Sequence, residues 1–268
     1  MKKDFLILTS LMFAGCVEEP EAICVPNSGD TELKFGAAVI AAGSGDEIDF
    51  YFDEVGTSFL YIDGECRWWG ARGLSEMSET RTGVLSQAQA ERISEEVQYR
   101  EWKTWNGETW DNVSTSHYGT AAFYRPGSHF KCNGNCDLMN SVSSIRDELW
   151  DGAESMTGGI WAWADDEGSP VEIAKLAGGR MVYDWPFSVT YDELMDEVQT
   201  VDEGDRHPAY LETDPDALVA LRAIRLEHDR ETDGHFLFFA INDSQAIAVH
   251  IRDALPIEND LGFIEELW

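Results

Sequence analysis

Side chains able to do chemistry are plentiful in this 268-residue chain, and their spacing decides which of them matter. His228, Asp229, Asp233 and His235 put four ligand-capable groups within eight residues, the best metal constellation in the sequence. Each has a simpler role: a histidine closing a helix complements its dipole, Asp233 with Gly234 makes a turn, and His235 opens a strand. No metal and no cofactor is therefore expected. The acidic loops Asp165-Asp166-Glu167 and Asp202-Glu203-Gly204-Asp205 lack the spacing of an EF-hand. Gly43-Ser44-Gly45 follows an apolar stretch, but Ile48 stands where a dinucleotide loop needs its third glycine. Signatures of a P-loop, a nucleophile elbow or a zincin helix do not occur. With 51 Asp and Glu, carboxylate pairs arise everywhere, so a glycosidase-like pair cannot be chosen by spacing and no catalytic residue is assigned.

What remains is Trp102, Trp105 and Trp110, in a run that alternates indoles with polar groups. In a loop, such indoles offer apolar faces for a sugar ring to stack upon, with carboxamides and acids for its edges. These three are the candidate ligand-binding residues. The competing expectation is that they roof the first helix as a satellite core, since most of ten tryptophans must be buried.

At the N-terminus a short basic region precedes the apolar residues 5–15 and then Cys16, the parts of an export signal. Eleven residues cannot span a bilayer, which needs about twenty. Leu11-Met12-Phe13-Ala14-Gly15-Cys16 resembles the lipobox of bacterial lipoproteins. That resemblance implies cleavage of a signal peptide over residues 1–15, acylation of Cys16 and anchoring to the cell envelope. No Asp or Lys follows Cys16 directly, which under the sorting rules of such lipoproteins favours the outer membrane. Acidic residues, two prolines and Asn27-Ser28-Gly29 make residues 16–31 an expected flexible tether. Setting Cys16 aside, Cys24, Cys66, Cys132 and Cys136 form an even set, and an oxidising compartment predicts two disulfides with three connectivities. Cys132 with Cys136 and Cys24 with Cys66 are favoured. The first pair flanks Asn133-Gly134-Asn135, a turn sequence, and the second would staple the tether to the first sheet.

Composition is that of a folding chain, 43% hydrophobic and 12% aromatic, under an extreme charge of −32. Cleavage before Cys16 leaves 17 basic against 50 acidic residues, or −33. Such a surface repels phosphate backbones, so nucleic acid is excluded as a partner. Six lysines among so many acids also match a surface adapted to salt.

The elements read as follows. Residues 33–42 and 57–62 are strand-like, and Asp63-Gly64 between apolar flanks is the strongest hairpin signal. Ser86 with Gln89 starts a helix bearing Ala90, Ile93 and Val97. A hairpin follows around Pro126-Gly127, then a short helix with Val142, Ile145 and Leu149. Residues 151–159 are the expected boundary. Beyond it come strands over 160–164 and 180–189, a helix capped by Thr190 and Glu193, and a helix from Asp214 and Pro215 that should end near Asp233. A hairpin over 236–251 and an amphipathic segment with Leu261, Phe263, Ile264 and Leu267 close the chain. The expectation is an α+β fold, with antiparallel sheets and helices packed on one face. It divides into halves over 32–150 and 160–268. Each sets a capped helix before a hairpin, which makes a similar plan for the two halves, and a single domain holding both, the alternatives to weigh.

The mature chain resembles predicted lipoproteins of myxobacterium-like genomes in four features. These are Asp63-Gly64-Glu65-Cys66, Arg81-Thr82-Gly83 before a capped helix, the close Cys pair after a strand, and Ile251-Arg252-Asp253-Ala254-Leu255-Pro256. That resemblance implies localisation and fold type but no activity. The expected function is a lipid-anchored envelope protein serving as a non-catalytic binding or scaffolding module, with the membrane and a glycan or envelope protein as partners. The alternative is a secreted hydrolase acting on envelope glycans.

Overall fold

The computed structural model describes residues 22–40, 58–72, 79–112, 120–134, 136–164, 169–176, 180–198, 209–228 and 237–256. Within them the fold is α+β, built on two sheets. The first contains β1 (Leu33–Ile40), β2 (Ser58–Asp63), β3 (Arg67–Arg72), β4 (Thr80–Val84), β5 (Thr109–Asn112), β6 (Thr120–Arg125), β7 (Ser128–Gly134) and β8 (Glu154–Ser155). Their order across the sheet is β5-β7-β6-β1-β2-β3-β4-β8. Neighbours are antiparallel except for β5 and β7, which run parallel.

Alternation along the strands sends side chains to two faces. Phe35, Leu60, Ile62, Trp68, Phe123 and Phe130 lie on one face, with helices α1 (Gln87–Glu96) and α2 (Asp137–Trp150) packed over it through Ile93, Val142, Ile145 and Leu149. Arg92 of α1 and Glu148 of α2 join the helices at 2.8 Å. The capping box at Ser86 is complete in both directions.

The second sheet contains β9 (Ile160–Ala164), β10 (Val171–Glu172), β11 (Val182–Tyr183), β12 (Ala209–Glu212), β13 (Leu237–Asn242) and β14 (Gln245–Asp253). Its order is β11-β13-β14-β9-β12, with β10 against β14. Helices α3 (Tyr191–Val198) and α4 (Pro215–Glu227) cover its core through Leu194, Leu218 and Leu221. Both start as their sequences require, with Thr190 and Glu193 bonded reciprocally and the Asp214 carboxylate accepting from Asp216 and Ala217 N–H.

The two units are joined across the outer face of the first sheet, where Leu33, Phe59, Tyr61, Trp69 and Ala71 pack with Met156 and Leu255. Beside this seam the buried Asp253 carboxylate accepts from Thr80 N–H at 3.2 Å. It also lies 3.0 Å from Arg225, an ion contact and not an aligned hydrogen bond.

Several expectations need correction. The chain from Ala22 onward is not a tether: Ile23 and Cys24 are buried, Val25 N–H donates to Gly64 O at 3.1 Å, and Cys24 is bonded to Cys66 with Cα atoms 5.2 Å apart. Lys34, held by Asp30 at 2.9 Å and Glu32 at 2.8 Å, continues this docked segment. Docking is tight enough to require glycine at Gly64, since a Cβ there would stand 2.7 Å from the Asp30 carbonyl oxygen. The Asp63-Gly64 hairpin is present but its loop includes Cys66, which takes a left-handed φ of 66°. The boundary at 151–159 carries β8, which extends the first sheet.

Not every strand pairs antiparallel, for β11 runs parallel to β13 as β5 does to β7. Each sheet therefore carries one parallel edge strand. In the first sheet the parallel edge strand borders the second strand of the hairpin, and in the second sheet it borders the first. Both halves thus set a parallel edge strand beside a hairpin, but against opposite strands of it. The segment over 261–267 lies outside the described residues.

Candidate functional site

Trp102, Trp105 and Trp110 were expected to share a loop, and the structure divides them. Residues Tyr99–Lys103 form a short 3₁₀ helix that turns Trp102 inward. Its ring is fully buried, with centroids 4.9 Å from Phe35, 5.5 Å from Phe123 and 5.1 Å from Phe130. The indole N–H donates to Val97 O at 2.9 Å, so the edge is also satisfied. Trp102 is thus core and offers no face to a ligand.

Trp105 and Trp110 lie further out and are only partly buried. Gly107, at φ +74°, turns the chain so that β5 can run beside β7. Gly107 N–H donates to His129 O at 2.8 Å, and Lys131 N–H to Glu108 O at 3.0 Å. The two indoles meet edge to face at 4.8 Å, and both rest on Phe130, at 5.3 and 5.0 Å. The Trp110 N–H donates to the Glu108 carboxylate at 2.9 Å. Asn106 accepts from His129 N–H at 3.1 Å. The result is an aromatic shelf on the edge strand of the first sheet, rimmed by the exposed residues Asn106, Glu108 and His129.

What holds the shelf from beneath had no signal in the sequence. Arg125, buried just before the Pro126-Gly127 turn, donates to Tyr99 O at 2.7 Å and lies 4.2 Å from the Tyr99 ring centroid. Ser128 donates its hydroxyl to Trp102 O at 2.5 Å. Both fasten the 3₁₀ turn to the β6–β7 hairpin, and neither residue type announces such a partner.

Acid–base chemistry would need carboxylates with spare capacity. Among the described residues the buried ones are Asp63, Glu212 and Asp253. Asp63 accepts from Arg67 N–H at 2.8 Å and from its guanidinium at 2.7 Å. Glu212 accepts from the N–H groups of Ser188, Thr213 and Asp214 at 2.7 to 2.8 Å and from the Ser188 hydroxyl. Asp253 serves the seam. All three are engaged in holding turns or elements together.

Of the four grouped ligand candidates, His228 caps the C-terminal end of α4 and is buried. Asp229, Asp233 and His235 lie outside the described residues, as do Cys16 and the acidic loops at 165–167 and 202–205. Among the described residues no group of three or more metal-ligating side chains occurs, and no helix is long and apolar enough to cross a membrane.

Of the two expected disulfides, Cys24–Cys66 is present and Cys132–Cys136 is not: both of the latter are buried thiols. The Cys132 thiol is hydrogen-bonded to Cys136 and is pushed up to about 12, first by burial and then by that neighbour. Comparison of the chain with protein-family models, curated proteins and solved structures gives no match.

Proposed function

We propose that this is an exported, lipid-anchored envelope protein whose folded part is a binding module without catalysis, with the Trp105–Trp110 shelf as its contact for a glycan. The observation that carries the reading is the shelf itself: two partly exposed indoles fixed by Phe130, with a carboxylate and a carboxamide on their rim. Stacking faces beside polar edges are what a sugar ring requires. The engagement of the buried carboxylates in structural bonds favours binding over hydrolysis.

Anchoring rests on the lipobox-like sequence ending at Cys16. With Cys24 clamped to the sheet, seven residues separate it from the acylated position, a reach of at most about 28 Å over the eight steps between them. The module therefore works close to the membrane that holds it, which we take to be the outer membrane.

Co-sedimentation of the Cys16→Ser chain with purified peptidoglycan sacculi tests the binding. Retention is expected, and a Trp105→Ala/Trp110→Ala pair should abolish it while leaving the melting temperature within a few degrees. No retention at any salt concentration removes the glycan reading and shifts the contact to an envelope protein. Release of soluble fragments from the sacculi would replace binding by hydrolysis. Anchoring is tested separately by incorporation of a labelled fatty acid, which the Cys16→Ser substitution should eliminate.

A further inference from the structure

Cys132 and Cys136 occupy two kinds of backbone. Cys132 lies within β7, flanked by Ala121 of β6 and Trp110 of β5. Cys136 is the N-cap of α2 and makes no side-chain capping bond. Gly134, between them in sequence, takes a left-handed φ of +84°, and the two thiols interact directly. We propose that this pair is a thiol–disulfide exchange site, in which Cys136 attacks an incoming disulfide and Cys132 resolves the mixed disulfide to close a Cys132–Cys136 bond.

The order follows from where each sulfur is held. A helix end opens more readily than a strand paired on both sides. The first turn of α2 can therefore expose Cys136 while Cys132 stays between β5 and β6. Burial and the neighbouring sulfur keep Cys132 protonated, so it is not the sulfur that attacks first, and it reacts only once the mixed disulfide stands beside it.

In the first step the Cys136 thiolate bonds to one sulfur of the donor disulfide and the other leaves as a thiolate. Cys132 then gives up its proton and its sulfur attacks Cys136 Sγ, expelling the second donor thiol. Both thiol hydrogens end on the two donor thiols, so the donor disulfide is the oxidant. Closure ties the end of β7 to the start of α2, one strand from Trp110. The inference does not depend on glycan binding or on lipid anchoring.

The test uses the full chain and oxidised glutathione as donor. Trypsin cuts after Lys131 and Arg146, so residues 132–146 carry both cysteines and Cys24–Cys66 falls elsewhere. Before treatment, and after mild reduction where needed, this peptide should take two alkyl groups. After treatment it should take none and weigh about 2 Da less, the mass of the two thiol hydrogens. In Cys132→Ser the glutathione adduct should remain on Cys136, whereas in Cys136→Ser the remaining Cys132 should stay unmodified. Two alkylatable thiols after treatment of the wild type, or a lasting glutathione adduct on it, would overturn exchange. An adduct trapped on Cys132 in the Cys136→Ser chain would overturn the assigned order.

Discussion

Trp102 and Trp105 stand three residues apart and meet opposite fates, because the 3₁₀ turn at Tyr99–Lys103 points one into the core and leaves the other at the edge. Trp102→Ala should cost about 3–5 kcal/mol, the usual range for a large aromatic removed from a packed interior. Trp105→Ala should cost less than about 2 kcal/mol, because its ring is partly in water already. Chemical denaturation of the two variants checks the contrast, and equal losses would mean that Trp105 is core as well. The sequence made the cluster visible through its indoles and their polar neighbours. It could not reveal which face each ring takes, because that depends on Arg125 and Ser128 fastening the turn from another strand.

Elements whose ends are written locally were legible, and those defined by a distant partner were not. Ser86 with Gln89, Thr190 with Glu193, and Asp214 with Pro215 all begin helices where the sequence placed them, since each cap is satisfied within three residues. By contrast β5, β8 and β12 are two to four residues long and carry little alternation. They exist because a neighbouring strand offers them hydrogen bonds, information that no short window contains.

One cap also predicts a pH effect. Bonds from the Thr190 N–H and hydroxyl hold the Glu193 carboxyl below its ordinary value. A lowered folded value adds stability above the unfolded glutamate pKa of about 4.3, and this is lost as pH falls through the folded value. The stability gap between wild type and Glu193→Ala should therefore be widest above about pH 5 and narrow towards pH 3. A gap that does not change with pH would show that charge has no part in this cap.

At the scale of the whole molecule, two features set stability. The first is the seam, where Asp253 is buried against Arg225 and Thr80. Asp253→Asn leaves a guanidinium without its counter-charge and should cost about 3–5 kcal/mol. The melting temperature of the full chain reads this out, and a shift of less than a few degrees would show that the seam is not held by charge. The second is the surface, whose net charge of −32 repels itself in dilute buffer. Added salt should raise the melting temperature steadily up to molar concentration, and a flat response would remove salt adaptation as the reason for the composition. The α+β class followed from hairpins and capped helices read in sequence. The seam did not, because Met156 and Leu255 are ordinary apolar residues until the sheet they cover is in place.

That seam has a bearing on the order in which the chain becomes a protein. Leu255 is the last residue of the seam to be made, yet it helps to seal a face belonging to strands made some two hundred residues earlier. A growing chain can pair those strands as they emerge but cannot complete the cover over their outer face until Leu255 has followed. Closure of the seam thus waits on the second unit. Under the export proposed above, which threads a chain unfolded across a membrane, such a delay is an advantage, because an interior that closes late does not jam the passage.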